Sequence, residues 1–252
     1  MVSGAPRFVI DKRIFLENAM RFSAYCHESG LRPRVHLKSI KAMALARLLA
    51  TEVAIESFAV ARAEEAFALS KIGSFDLFWA YPFAGTERLA VLRQLCTLHR
   101  MSVMVDSVWQ ANQLKTAAQD LHQLSVWLEL ESGLKRTGVN CGDELSELIA
   151  ELCSASRVSI RGLSLYFGQY WDPARSSSFE SEIPMHISLI HAAKRQLSEA
   201  GITQVEISAA ASPVLYKLNR LHDLTELRVG SALLGDFSQV LNFEMSLESV
   251  AS

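Results

Sequence analysis

Ser125-Val-Trp-Leu-Glu-Leu130, followed at once by Glu-Ser-Gly-Leu-Lys-Arg-Thr-Gly (131–138), is the stretch on which the fold turns. Its first part is apolar on both alternating faces, as in a parallel strand covered from both sides. Its second part is a glycine-flanked basic turn at the strand's carboxyl end. A helical pattern at 143–153 comes next. Strand, polar turn and helix together form one unit of a parallel α/β sheet. The unit repeats outward in both directions. Strand-like runs fall at 34–37, 55–60, 76–80, 102–105, 125–130, 158–166, 204–208 and 224–229. Segments of helical spacing lie between them at 41–51, 62–72, 86–99, 108–119, 143–153 and 184–199, with a short piece at 213–219 and a leading helix at 11–28. The polar stretch 172–181, rich in serine, reads as a long loop.

Eight such runs in 252 residues predict an α/β fold, a single-domain (β/α)8 TIM barrel, with the barrel proper over about 10–240 of a domain spanning 1–252. A doubly wound open sheet is the alternative. No GxGxxG follows the first strand and no GxxxxGK[ST] occurs, so dinucleotide and nucleotide-triphosphate folds lack their phosphate-binding signatures.

Half of the residues are hydrophobic and 21% are charged, enough apolar surface to exclude intrinsic disorder. Lys+Arg 25 against Asp+Glu 27 leaves a formal charge of −2, which does not suit a nucleic-acid binder. No apolar run is long enough to span a membrane, and the first residues carry no apolar signal core, so a cytoplasmic protein is expected. Cys26, Cys96, Cys141 and Cys153 lack CxxC spacing and are expected to be reduced, buried thiols. His36, His99, His122, His186, His191 and His222 have no metal-ligand spacing, and no metal site is expected. GxSxG and HExxH are absent.

In a barrel of this kind, chemistry sits at the carboxyl ends of the strands. Lys38 falls at the end of the first strand. Held among apolar groups it would have a lowered pKa and could form a Schiff base with an aldehyde. The alternative is a lysine that snorkels, or that pairs with Glu129 or Glu131. Ser208-Ala-Ala-Ala-Ser-Pro213 is a run of small residues that leaves strand seven, and Gly230-Ser231 follows strand eight. Backbone N–H groups can approach an anion at both places, and barrels often bind phosphate there. The alternative is a pair of tight turns. Arg136 could donate to a phenolate or carboxylate in the barrel mouth; otherwise it belongs to a solvated Lys-Arg pair.

Taken in order, Lys38, ESGLKRTGV (131–139), RGLSLYFGQY (161–170), SAAASP (208–213) and TELRVGSALLGD (225–236) resemble a known family. It is the N-terminal barrel shared by alanine racemases, D-threonine aldolases and eukaryotic-type D-serine dehydratases, the fold-type III pyridoxal-phosphate enzymes. The likeness is strongest to the aldolase and dehydratase branch. That branch's run R-P-H-x-K-T-H-K aligns without gaps on Arg34-Val-His-Leu-Lys-Ser-Ile-Lys41.

The resemblance implies pyridoxal 5'-phosphate as cofactor, with Lys38 as its Schiff-base lysine and His36 in support. It places Arg136 near the cofactor and Tyr166, Gln169 and Tyr170 by the pyridine ring. Ser208, Ala210, Ala211 and Ser212 would cradle the phosphate, with Gly230 and Ser231 completing the cup. The implied activity is aldolase, dehydratase or racemase chemistry at Cα of a small D- or β-hydroxy amino acid, in a possible homodimer. Two other roles remain open: a non-catalytic protein of pyridoxal-phosphate homeostasis, or a remnant that binds no cofactor. The chain departs from the family in Ala-Ala-Ala for the glycine-rich phosphate turn, Ser231-Ala232 for threonine-tyrosine, Ser39-Ile40 for threonine-histidine, and Glu131-Ser132 for the aspartate before the glycine turn. Members of this branch carry a C-terminal β domain, which is expected to be lacking here.

Overall fold

The computed structural model describes residues 9–82, 85–118, 124–242 and 245–251. His122 and Gln119, the end of the fifth expected helix, lie outside them. The chain opens with α1 (Lys12–Glu28), capped by the Asp11 carboxylate, which accepts from Ile14 N–H at 3.0 Å. Its Phe15, Ala19, Phe22 and Cys26 recur at helical spacing and are buried. Eight strands follow: β1 (Arg32–His36), β2 (Ser57–Val60), β3 (Asp76–Trp79), β4 (Arg100–Val105), β5 (Leu124–Leu130), β6 (Val158–Tyr166), β7 (Glu206–Ala210) and β8 (Glu226–Val229). All pairings are parallel and run in sequence order. The sheet closes where β8 pairs back onto β1, from Arg32↔Glu226 to Val35↔Val229. Every expected strand is therefore present, within a few residues, and the closed barrel replaces the open-sheet alternative.

Helices α3 (Met43–Glu52), α4 (Ala63–Leu69), α5 (Thr86–Cys96), α6 (Val108–Ala117), α7 (Asp143–Cys153) and α9 (Phe179–Glu199) join the strands. Several short helical pieces fall where none was expected, and two of them correct the sequence expectations directly. The first is α2 (Leu37–Ile40): the chain turns helical at once after His36, so Lys38 stands on a helical turn and not on the strand. Four residues are too few to show a periodicity. The second correction concerns 172–181. Asp172 caps α8 (Pro173–Ser176) by accepting from Ala174 N–H, and α9 already begins at Phe179, five residues before the expected Pro184 start. Burial of Phe179 against Tyr170, ring centroids 5.1 Å apart, outweighs the helix-breaking tendency of Pro184.

The strands' outward residues form one apolar core with the helices. Inside the barrel, Ala59, Phe78, Met104 and Trp127 make a separate apolar plug. Charged side chains lie on both sides of it: Arg34, Asp76 and Glu226 toward the strands' amino ends, Glu129 and Arg228 toward their carboxyl ends. The β5–β6 register shifts between Val126 and Trp127, whose partners are Ile160 and Gly162. Arg161 is the extra residue; its guanidinium lies 5.0 Å from the Trp127 ring and pairs with Asp76. Its neighbour Gly162 has no room for a side chain, because a Cβ there would lie 1.9 Å from the Glu206 carbonyl oxygen. Gly162→Ala is expected to lower the stability by roughly 1–3 kcal/mol or more, since backbone and not a flexible side chain must move. A denaturant melt with an unchanged midpoint would contradict this.

Candidate functional site

A cavity of about 460 Å³ opens at the carboxyl end of the barrel. Lys38 enters it from α2. The turn is set by His36, whose Nδ1 accepts the Lys38 backbone N–H at 3.3 Å. An accepting Nδ1 places the imidazole proton on Nε2. Burial, then the Lys38 and Arg228 charges, hold the His36 pKa well below the usual range, so the ring is neutral. Lys38 is exposed as a residue, yet its amine is turned in: the Nζ lies 5.4 Å from the Tyr166 ring centroid. Its pKa is lowered, first by burial and then by the Arg136 and Arg228 charges, against weaker opposition from Glu65 and Glu129. Among the described residues no carboxylate stands within ion-pair distance of it, so neither Glu129 nor Glu131 neutralises it.

Arg136 shares the Tyr166 ring, its Cζ 4.8 Å from the centroid. The turn that carries it is held by Asp106, which accepts from Gly138 N–H at 3.1 Å. Gly138 has φ +110°, and a Cβ there would lie 2.4 Å from the Glu131 nitrogen, so the glycine is required. On the other side of the cavity, Ala210, Ala211 and Ser212 leave β7, and Gly230 and Ser231 leave β8. The Ser231 hydroxyl donates to Ser212 Oγ at 3.2 Å, and Gln239 Nε2 braces the Ser231 carbonyl at the same distance. Among the described residues, the backbone N–H groups of Ser212 and Ser231 donate to no protein acceptor.

Nine of the twelve expected site residues thus line one cavity, and three do not. Ser208 lies beneath it, where its hydroxyl donates to Glu226 Oε1 at 2.6 Å and accepts from Arg228 at 2.8 Å. Tyr170 points away into an aromatic box, its phenol 2.6 Å from Glu182 Oε2 and 2.7 Å from His186 Nε2. Gln169 donates from Nε2 to the Ser132 carbonyl at 2.7 Å. The last two sit on a 3-10 turn, Gly168–Trp171, whose three-residue repeat directs Trp171 to the cavity and Tyr170 behind it. The thiol expectation also needs amendment: Cys26 is buried, but Cys96 and Cys141 are half-buried and Cys153 is exposed. Among the described residues, no group of three or more His, Cys, Asp or Glu side chains is placed to hold a metal ion, and no helix is long and apolar enough to cross a membrane.

Two buried charges of the cavity, Arg228 and Glu129, have no site role in the sequence analysis, where Glu129 figures only as a candidate partner of Lys38. Arg228 is buried, donating to Ser208 and to the Leu165 carbonyl at 2.9 Å, with its guanidinium 5.2 Å from the Phe78 ring. Glu129 is buried and accepts from the Ser164 hydroxyl; burial, only partly offset by Arg228, raises its pKa. Both are inward-facing charges within otherwise apolar strands, a signal visible in VWLEL and ELRV. Lys38, Arg136, Arg228 and Glu129 leave the cavity with an excess of positive charge. A Tyr166 platform, a reactive amine, a guanidinium and a hydroxyl-lined end can together hold a flat anionic ligand that carries a phosphate.

Residues 10–238 match the family model described as alanine racemase, N-terminal domain. D-threo-3-hydroxyaspartate dehydratase of Delftia sp. (strain HT23) is 25% identical over 240 residues, covering 89% of this chain and 60% of that protein. D-threonine aldolase of Arthrobacter sp. is 26% identical over 201 residues, covering 78% and 52%. The chain thus spans about half to three fifths of the length of these relatives. Among solved structures, D-threonine aldolase from Filomicrobium marinum superposes with a TM-score of 0.84 at 22% identity, covering 96% of this chain and 65% of that one. At that identity the likeness speaks for the barrel.

Proposed function

The chain belongs to the alanine racemase N-terminal domain family, and on that premise we propose that it binds pyridoxal 5'-phosphate through Lys38 and acts at Cα of a small D- or β-hydroxy amino acid. One observation carries the reading: Lys38 Nζ and the Arg136 guanidinium both stand over the Tyr166 ring, in a cavity whose other side is Ser212, Gly230 and Ser231. The residues fit the group. Ser212 and Ser231 offer unspent N–H donors to the phosphate, and Tyr166 offers a face to the pyridine ring. Arg136 offers a cation to the ring's phenolic oxygen or to a substrate carboxylate.

Bound pyridoxal phosphate supplies an aldehyde for a covalent bond to an amine and a ring that draws electrons from Cα. The chain's residues do the rest. The lowered pKa of Lys38 keeps part of its amine unprotonated at pH values where an ordinary lysine, near about 10.4, is a cation. An unprotonated Nζ can attack a carbonyl and can take or return a proton at Cα. His36, neutral with Nε2 as a donor, orients the Lys38 turn without adding charge. Trp171 and Tyr81 stand at the cavity wall and narrow the access of water.

The test is a titration of the purified chain with pyridoxal phosphate, followed by visible absorbance. The loaded protein is then assayed on D-threonine, D-serine and D-alanine, with and without divalent metal. A visible band and turnover of one class support the enzyme reading. A band with no turnover on any of them assigns a cofactor-holding role instead, and no band overturns both.

A further inference from the structure

Ser39 follows Lys38 on α2 and lines the same cavity. Its hydroxyl is half-buried and, among the described residues, has no hydrogen-bond partner. It also rests against the backbone of Gly230: a Cβ built on that glycine would lie 2.6 Å from Ser39 Oγ and 3.3 Å from Ser39 Cβ. Gly230 has φ −137° and ψ −91°, a negative φ, so a left-handed conformation is not what calls for glycine there. The close approach of Ser39 calls for it. A donor hydroxyl has therefore been brought from the loop after β1 into the cup formed by the loops after β7 and β8.

The cup has few other side-chain donors. Ser231 spends its hydroxyl proton on Ser212, and the adjoining residue, Ala232, has no hydroxyl. We propose that Ser39 is the third hydroxyl of the phosphate end, donating to a phosphate oxygen, and that it makes the site select pyridoxal phosphate over unphosphorylated pyridoxal. This rests on the cofactor reading above and adds a specificity residue to it. Ser39 and Lys38 share one four-residue helical turn, so a phosphate held by Ser39 fixes the turn that presents the amine. The phosphate's grip and the reach of Lys38 are thereby coupled.

Ser39→Ala is expected to weaken pyridoxal-phosphate binding about ten- to a hundredfold, the range for losing a hydrogen bond to a charged group. Binding of pyridoxal, which lacks the phosphate, stays unchanged, and Ser39→Thr restores most of the difference. Equilibrium dialysis of both compounds reads this without any turnover. An equal loss for both compounds, or no loss for either, overturns the proposal.

Inorganic phosphate gives an arm independent of the cofactor. Millimolar phosphate should raise the melting temperature of the unaltered chain and raise that of Ser39→Ala less; equal shifts overturn the proposal even if pyridoxal phosphate never binds. Should Ser39→Ala fold poorly, Gly230→Ala displaces the same hydroxyl and is expected to show the same phosphate-selective loss. A Gly230→Ala variant that keeps full selectivity counts against it.

Discussion

Lys38→Ala is expected to abolish the visible absorption band that the unaltered chain develops with pyridoxal phosphate, and to leave the fold intact. The loss should be complete, because Lys38 is the amine that the cavity exposes and desolvates together. The phosphate end, built from other residues, would still hold the cofactor loosely. The fold should survive because Lys38 is exposed and makes no ion pair among the described residues; such substitutions usually cost within about 0.5 kcal/mol. Lys41 is the informative control. It lies three residues on, exposed, in a left-handed conformation with φ 55° at the end of α2. Lys41→Ala should retain the band. Borohydride reduction followed by peptide mass analysis should find the added mass on Lys38. A band that persists in Lys38→Ala, or a mass found on Lys41, would remove Lys38 from the role proposed for it.

The barrel was legible because its signal is redundant. The same strand–turn–helix unit recurs along the chain, and small errors at the ends of the runs do not alter a closure in sequence order. The lining of the candidate site was legible where it depends on residue type at a loop. Small residues after β7 and β8 mark a backbone approach whatever their exact conformation, and a lysine after β1 stands out. What depends on local direction was not legible. Tyr166 faces the cavity and Tyr170 does not. The difference comes from a 3-10 turn and from the pull of Glu182 and His186, residues distant from any motif. Ser208 was expected with the phosphate because it opens the small-residue run. It is in fact a β7 residue facing the barrel interior, where buried charges claim its hydroxyl. Arg228 and Glu129 stand inside β8 and β5, one or two residues before the loops where a barrel's chemistry is expected, so their position alone does not mark them as cavity residues.

Those interior charges carry the second large expectation: Arg34→Met should destabilise the chain by about 3–5 kcal/mol. Arg34 is fully buried. Its Nε and one terminal nitrogen grip Glu226, each at 2.8 Å. The same terminal nitrogen reaches Asp76 Oδ1 at 3.1 Å, and the other donates to the carbonyls of Phe58 and Asp76 at 3.0 and 2.9 Å. Asp76 retains Arg161 as a partner when Arg34 is removed. Glu226, equally buried, retains Ser208 and a looser contact with Arg32 at 3.7 Å. The cost is that of an under-compensated buried carboxylate and not of a lost surface bridge.

Two consequences distinguish that cause from mere loss of packing. Arg34→Met/Glu226→Gln should be less destabilised than the two single changes added together, a coupling that separate packing defects would not give. The pH dependence should also change sign at Glu226. In the unaltered chain, burial opposes ionisation, but Arg34 outweighs it and holds the Glu226 pKa below the usual carboxylate range; Asp76 is lowered likewise. A carboxylate lowered in the folded state contributes stability above its unfolded pKa, about 4, and loses it as pH falls through the folded value. Without Arg34, burial raises the Glu226 pKa, and the stability then declines as pH rises through the carboxylate range. The gap between the two proteins should therefore be wide near neutral pH and narrow toward pH 4, read by denaturant melts at each pH. A gap independent of pH would mean that Arg34 matters for its volume alone. Because the Ser208 hydroxyl donates to Glu226 and accepts from Arg228, the same network runs from the amino end of the barrel to the cavity wall. Loosening it at Arg34 should be felt at the site as well as in the melt.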